Sequence, residues 1–136
     1  MMEPNTIIDE RFVIKALART GGMGSVYRAL DRSTGQQVAL KLLHELSDDY
    51  ARFRHEARIL SSLAHPHVVA VHDIGVEQAM PFLAMDLLEG QDLFTLVSRQ
   101  KELALDRIAD IFLPILSALA TAHEAGILHR DIKPEN

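Results

Sequence analysis

Residues 11–43 constrain this chain more than any other stretch, because apolar runs alternate there with turn formers at strand spacing. "RFVIKALART" leads into the glycine cluster "GGMG"; "SVYRALD" follows, then the turn "RSTG", then "QQVALKLL". Ser33, Thr34 and Gly35 lie between two apolar runs, which predicts a hairpin. A hairpin joins antiparallel neighbours, so the chain opens on three strands of an antiparallel sheet.

The period then changes. Phe53, Ala57, Leu60 and Ala64 recur at i, i+4, i+7 and i+11, one face of a helix over 48–64, closed by Pro66. Two short apolar runs, 68–76 and 80–86, flank "EQA", which predicts a second hairpin, and Gly90 breaks the pattern. A short helix is expected over 92–100. Residues 106–125 predict a helix of about 30 Å, with Asp106 as N-cap and Gly126 as the C′ residue. Its apolar residues Ile108, Ile111, Phe112, Leu113, Ile115, Leu116 and Leu119 span more than one stripe, so burial on more than one side is expected. Pro114 predicts a kink. Strands followed by helices give an α+β class rather than a parallel βαβ sheet.

Composition narrows the chemistry. The 136 residues fit one domain or part of a larger one, and 48% hydrophobic residues supply a core. With no cysteine there are no disulfides and no thiolate metal sites, which is compatible with a reducing, cytoplasmic location. A net charge of -5 argues against non-specific nucleic-acid binding. "MMEPNTIIDERF" has no basic region followed by an apolar run, so no signal peptide is expected. No apolar stretch reaches the roughly 20 residues of a membrane helix.

Four motifs carry candidate chemistry, each with a plainer reading beside it. In "GGMGSV", Gly21, Gly22 and Gly24 let backbone N–H groups approach an anion without an intervening Cβ, or simply make a turn. In "VALK", Lys41 shares a strand face with Ala39 and Leu43; it either snorkels to water or needs an anionic partner. Glu56 lies three residues after Phe53 and four before Leu60, beside the apolar stripe, where it meets Lys41 or pairs locally with Arg52 or Arg54. In "HRDIKPEN", Pro134 excludes a regular helix, so a rigid loop could aim the Asp131 carboxylate, the Lys133 ammonium and the Asn136 amide at one point; oxygen ligands such as Asn136 suit Mg²⁺. The plainer reading is a solvated polar loop. The seven histidines include "HPH" and His72, but without cysteine, and with Pro66 inside the pair, they read as caps, packing and surface residues rather than a metal site.

Taken in order, these motifs resemble the N-terminal half of a protein kinase domain, closest to the eukaryotic-like serine/threonine kinases of bacteria, from about Arg11 to Asn136. The resemblance implies an N-terminal extension (1–10), an N-lobe of five antiparallel strands plus one helix (11–85), a hinge (86–91) and the first helices of an incomplete C-lobe (92–136). ATP and Mg²⁺ are the implied cofactors, and a serine or threonine hydroxyl of a protein is the implied acceptor. Ala18, Gly21, Gly22, Met23 and Gly24 fall on the loop over the phosphates, while Val26 and Ala39 would pack on adenine. Lys41 would hold the α- and β-phosphates and pair with Glu56. Met85 would be the gatekeeper. The Asp86 carbonyl and the Leu88 backbone would bond adenine, and Asp92 would meet the ribose. Asp131 would accept the substrate proton, Lys133 steady the γ-phosphate and Asn136 hold magnesium.

The sequence departs from the family pattern in two places. The first glycine position holds Arg19, which predicts weaker loop closure. The Asp-Phe-Gly segment, the activation loop and the rest of the large lobe are not among the 136 residues. The chain is therefore expected to be a kinase domain truncated after its catalytic loop and inactive alone. The alternative is a non-catalytic nucleotide- or partner-binding module, or a reading frame without function. Helix 106–125 is expected to expose apolar surface and promote self-association.

Overall fold

The computed structural model describes residues 2–21, 24–43, 49–129 and 132–135, with backbone only at 49, 52 and 56. These residues form two compact units, one of residues 1–62 and 69–88, the other of residues 63–68 and 89–136.

The first unit is a sheet with one helix. Its strands are β1 (Ile7–Ile8), β2 (Phe12–Thr20), β3 (Gly24–Asp31), β4 (Gln37–Leu43), β5 (Val71–Glu77) and β6 (Met80–Asp86), in the order β1-β2-β3-β4-β6-β5. Every neighbouring pair is antiparallel, as the short turns require. Among the described residues the sheet has six strands: β2–β6 are the five expected, and β1 adds a sixth. β1 comes from the segment read as an extension; two residues are too few to show an alternating pattern.

Both predicted hairpins form. Around "RSTG", the Asp31 N–H donates to the Gln36 carbonyl and the Gly35 N–H to the Asp31 carbonyl, both at 2.8 Å, with Gly35 at φ +72°. Between β5 and β6, Gln78 and Ala79 both take positive φ, 47° and 65°. This is a tight two-residue connection whose twist suits the flanking strands. β5 starts at Val71, later than expected, because residues 65–68 make a turn closed by the Val68 N–H on the His65 carbonyl at 3.1 Å.

Alternation sorts the side chains onto two faces. Ile8, Phe12, Ile14, Tyr27, Ala29, Val38, Leu40, Leu42, Phe82 and Ala84 form one core on one face. The other face carries Leu43 and Leu83, which pack against Phe53 and Ala57 of α1 (Asp49–Ser62), with Tyr50, Leu60, Val71 and Met85 at its margin. Phe53, Ala57 and Leu60 are the first three positions of the predicted stripe; the helix ends at Ser62, short of Ala64, which is exposed. Arg11 secures the sheet from one end. Its Nε and Nη2 bond both oxygens of buried Asp31 at 2.9 and 2.7 Å, and its Nη1 bonds Asp73 Oδ2 at 2.7 Å.

The second unit contains α2 (Leu93–Arg99) and α3 (Leu105–Glu124). α3 starts one residue earlier than predicted. Its N-cap is Ala104, without a side-chain cap, and Asp106 sits in the first turn and accepts the Arg107 N–H. The C-terminus is as expected. Gly126 has φ +75°, its N–H reaches the His123 carbonyl at 3.0 Å, and the Ile127 N–H reaches the Ala122 carbonyl at 2.9 Å. That pair of bonds is a Schellman cap. His65 joins this unit through Nε2, 3.0 Å from Ser117 Oγ, while its Nδ1 accepts the His67 N–H. "HPH" is thus a turn and an anchor. Among the described residues, no group of three or more His, Asp or Glu is placed to hold a metal.

Candidate functional site

The first unit brings four of the candidate residues onto one face of three adjacent strands. Val26 on β3 stands opposite Lys41 on β4, and Lys41 stands opposite Leu83 on β6. One step along, Ala39 stands opposite Met85. Residues directly opposite in an antiparallel pair share a face, with Cβ atoms about 4.5–5.5 Å apart. Val26, Ala39, Lys41 and Met85 therefore form a compact patch: three apolar residues beside one half-buried lysine. α1 covers the neighbouring part of the same face through Leu43 and Leu83.

Glu56 occupies α1 one residue before fully buried Ala57. Its side chain lies outside the described residues, and so does the expected Lys41–Glu56 pair.

The glycine segment closes the β2–β3 hairpin. The Gly21 N–H donates to the Gly24 carbonyl at 2.9 Å, and Thr20 Oγ1 lies 3.4 Å from Ser25 Oγ. Gly22 and Met23 lie outside the described residues. At Gly24 any Cβ would overlap the Leu42 carbonyl oxygen, so the close approach of β4 admits only glycine. At Gly21 the nearest atom to such a Cβ would be 3.9 Å away, an ordinary contact. Ala18 is the extra residue of a bulge between Leu17 and Arg19, and Arg19 stands opposite Val26 with its side chain exposed.

Met85 packs at the margin of the α1 cluster and stands opposite both Ala39 and Val71. Asp86 ends β6; its N–H donates to the Ala70 carbonyl at 2.9 Å and its Oδ1 lies 2.7 Å from His72 Nε2. Leu88 follows in irregular backbone and is 70% exposed.

In the second unit Asp92 has a task the sequence reading missed. It is the N-cap of α2, its Oδ1 accepting the Thr95 N–H at 2.7 Å. An Asp directly before a short apolar run is the signal that could have found it. The described part of "HRDIKPEN" meets the same helix end, because the Phe94 N–H donates to the Pro134 carbonyl at 3.0 Å. Lys133 is exposed beside it. Asp131 and Asn136 lie outside the described residues.

Comparison with known proteins decides what this arrangement is. The protein kinase domain model matches residues 14–136. The chain belongs to the protein kinase family. It is 44% identical over 131 residues to serine/threonine-protein kinase pkn3 of Myxococcus xanthus, covering 93% of this chain and 24% of that protein. It is 38% identical over 136 residues to serine/threonine-protein kinase PknL of Mycobacterium tuberculosis, covering 97% of this chain and 34% of that protein. The chain thus spans about a quarter to a third of the length of these relatives. Among solved structures, the Mycobacterium tuberculosis PknI kinase domain superposes with a TM-score of 0.85 at 27% identity, over 100% of this chain and 56% of that one. PpkA-294 in its apo form, at 24% identity, shares the fold with a TM-score of 0.88. Kinases of this family use ATP and magnesium and act on proteins. Among the described residues no helix is long and apolar enough to cross a membrane.

Proposed function

We propose that this chain supplies the nucleotide-binding and catalytic-loop part of a serine/threonine protein kinase. The observation that carries the reading is the patch of Val26, Ala39, Lys41 and Met85, fixed by the register of β3, β4 and β6. Apolar side chains around a single ammonium suit an apolar base joined to a polyanion. In this reading Val26 and Ala39 pack on adenine, Met85 limits the depth of the base pocket, and the Asp86 carbonyl and Leu88 backbone bond the base. Lys41, oriented by Glu56, neutralises the α- and β-phosphates. The glycine segment from Ala18 to Gly24 covers them. Asp92, besides capping α2, faces the ribose.

For the transfer itself, Asp131 accepts the proton of a protein serine or threonine hydroxyl, Lys133 steadies the γ-phosphate and Asn136 binds magnesium. The amide oxygen of Asn136 is a ligand of the hard type magnesium prefers. When bound, magnesium would supply charge neutralisation at the phosphates, and the protein's own task is positioning. Residues 11–85 act as the small lobe, 86–91 as the hinge and 92–136 as the start of the large lobe. ATP use puts the site on the cytoplasmic side.

Phosphotransfer by the full-length protein to a serine- or threonine-bearing substrate tests this. Loss of turnover in both Lys41→Ala and Asp131→Ala is expected, and undiminished turnover in either refutes the assignment. Residues 1–136 expressed by themselves contain no Asp-Phe-Gly and so lack its magnesium-binding aspartate. For that stretch the nucleotide-binding reading is the stronger, with binding of Mg-ATP but negligible turnover.

A further inference from the structure

β5 and β6 lose register between Val71 and Asp73. Val71 stands opposite Met85 and Asp73 opposite Ala84, which leaves His72 as the extra residue. A bulge re-aims the side chain it carries. Here it brings His72 Nε2 to 2.7 Å from Asp86 Oδ1. A carboxylate only accepts, so Nε2 carries a proton and donates it. The second carboxylate oxygen, Oδ2, receives the Ala70 N–H at 3.4 Å, and the Asp86 N–H is held by the Ala70 carbonyl at 2.9 Å. On its other side Asp86 stands opposite Val38 of β4. The last residue of β6 is therefore tied by its amide and by both carboxylate oxygens, to His72 of β5 and to Ala70 just before that strand.

We propose that His72 is a positioning residue for recognition of the nucleotide base. By holding the Asp86 side chain it fixes the direction of the carbonyl that follows. The inference rests on the reading of that carbonyl as the partner of the adenine 6-amino group. A carbonyl accepts from an amino group, whereas it meets only another acceptor in the 6-oxo group of guanine. The direction of this one dipole thus sets both affinity for adenine and rejection of guanine. The His72 and Asp86 side chains are 30% and 46% exposed, and Asp86 keeps its backbone bonds without His72. Losing the imidazole should therefore disturb the carbonyl without unfolding the sheet.

Binding of Mg-ATP and Mg-GTP to the full-length protein by calorimetry tests the proposal, with melting temperature as the control for folding. His72→Ala should weaken Mg-ATP about threefold, the scale of one exposed charged pair. Mg-GTP binding should not weaken, and the melting temperature should stay unchanged. His72→Gln, which offers an N–H to the same carboxylate, should restore Mg-ATP affinity. Unchanged Mg-ATP affinity in His72→Ala, equal loss for both nucleotides, or failure of His72→Gln to rescue each overturns the positioning role. Failure of the unaltered protein to bind Mg-ATP, or Lys41→Ala binding as tightly as the unaltered protein, overturns the nucleotide reading itself and the inference with it.

Discussion

The rings of Phe12 and Phe82 meet edge to face, with centroids 5.8 Å apart and planes at 63°, although two strands separate β2 from β6 in the sheet. Strand neighbours lie about 4.8 Å apart, so in a flat sheet three steps would hold these rings well beyond contact. The sheet curls until its far strands share one core.

That closure depends on a residue without a side chain. A Cβ on Gly75 of β5 would lie 2.6 Å from two carbons of the Phe82 ring. Gly75→Ala should cost about 1–3 kcal/mol through overpacking, and Phe82→Ala about 3–5 kcal/mol through the cavity left behind. The double variant should lose less than the sum, since removing the ring removes the clash. Denaturant melts of the four proteins check this, and strict additivity would contradict the contact.

Acid should loosen the end of the sheet held by Asp31. Its carboxyl is held well below the usual range, first by the Arg11 hydrogen bonds, against the opposing effect of burial, with Ser33 adding bonds at 2.6 and 2.9 Å. A carboxylate with a depressed folded pKa stabilises fully above its unfolded value of about 3.9 and loses that contribution as pH falls toward the folded value. Stability should therefore decline as pH drops below about 5. Asp31→Asn should flatten part of that slope and cost roughly 2 kcal/mol at neutral pH, the scale of hydrogen bonds to a charged group. An unaltered acid slope in Asp31→Asn would refute the assignment.

Arg19 occupies the first glycine position of the loop, opposite Val26. In the proposed nucleotide-binding reading, a bulky side chain there would oppose closure of the loop over phosphates. Arg19→Gly should tighten Mg-ATP binding about two- to fivefold, less than one factor of ten or 1.4 kcal/mol. Equal or weaker binding would show that the guanidinium attracts the phosphates instead.

α3 leaves apolar side chains in solvent: Leu113 is 64% and Leu116 56% exposed, with Ile108 and Phe112 also exposed. A contiguous surface of this kind favours association. Residues 1–136 expressed by themselves should sediment as dimers or larger species. Leu113→Glu with Leu116→Glu should shift them to monomer. A clean monomer without substitution would count against this.

Periodicity made most of the fold legible. The α1 stripe, both hairpins and the Gly126 cap follow from spacing and turn chemistry. β1 did not, because pairing rather than pattern defines a two-residue strand. The Gln78–Ala79 turn was placed by the gap between two runs; neither residue type announces positive φ. Arg11 with Asp73, 62 positions apart, was out of reach, since only the curl of the sheet joins them. His72 with Asp86 was missed for a related reason. A bulge offsets the register by one residue, and a single sequence carries no sign of the offset. Of the candidate site, strand alternation put Lys41 on one face with Ala39, whereas Val26 and Met85 entered only through the family resemblance, because which strands lie side by side is set by pairing across the sheet.

The two ends of the glycine segment answer to different masters. Gly24 is required by the chain itself, since the Leu42 carbonyl leaves no room for a methyl group. Gly21 meets no such obstacle. Saturation mutagenesis scored once for folding and once for nucleotide binding would separate the two positions. Substitutions at Gly24 should fail both screens, while many at Gly21 should pass the first and fail only the second. A designer wishing to retune the loop therefore has a free end and an anchored one, and Gly24 is the position to leave alone.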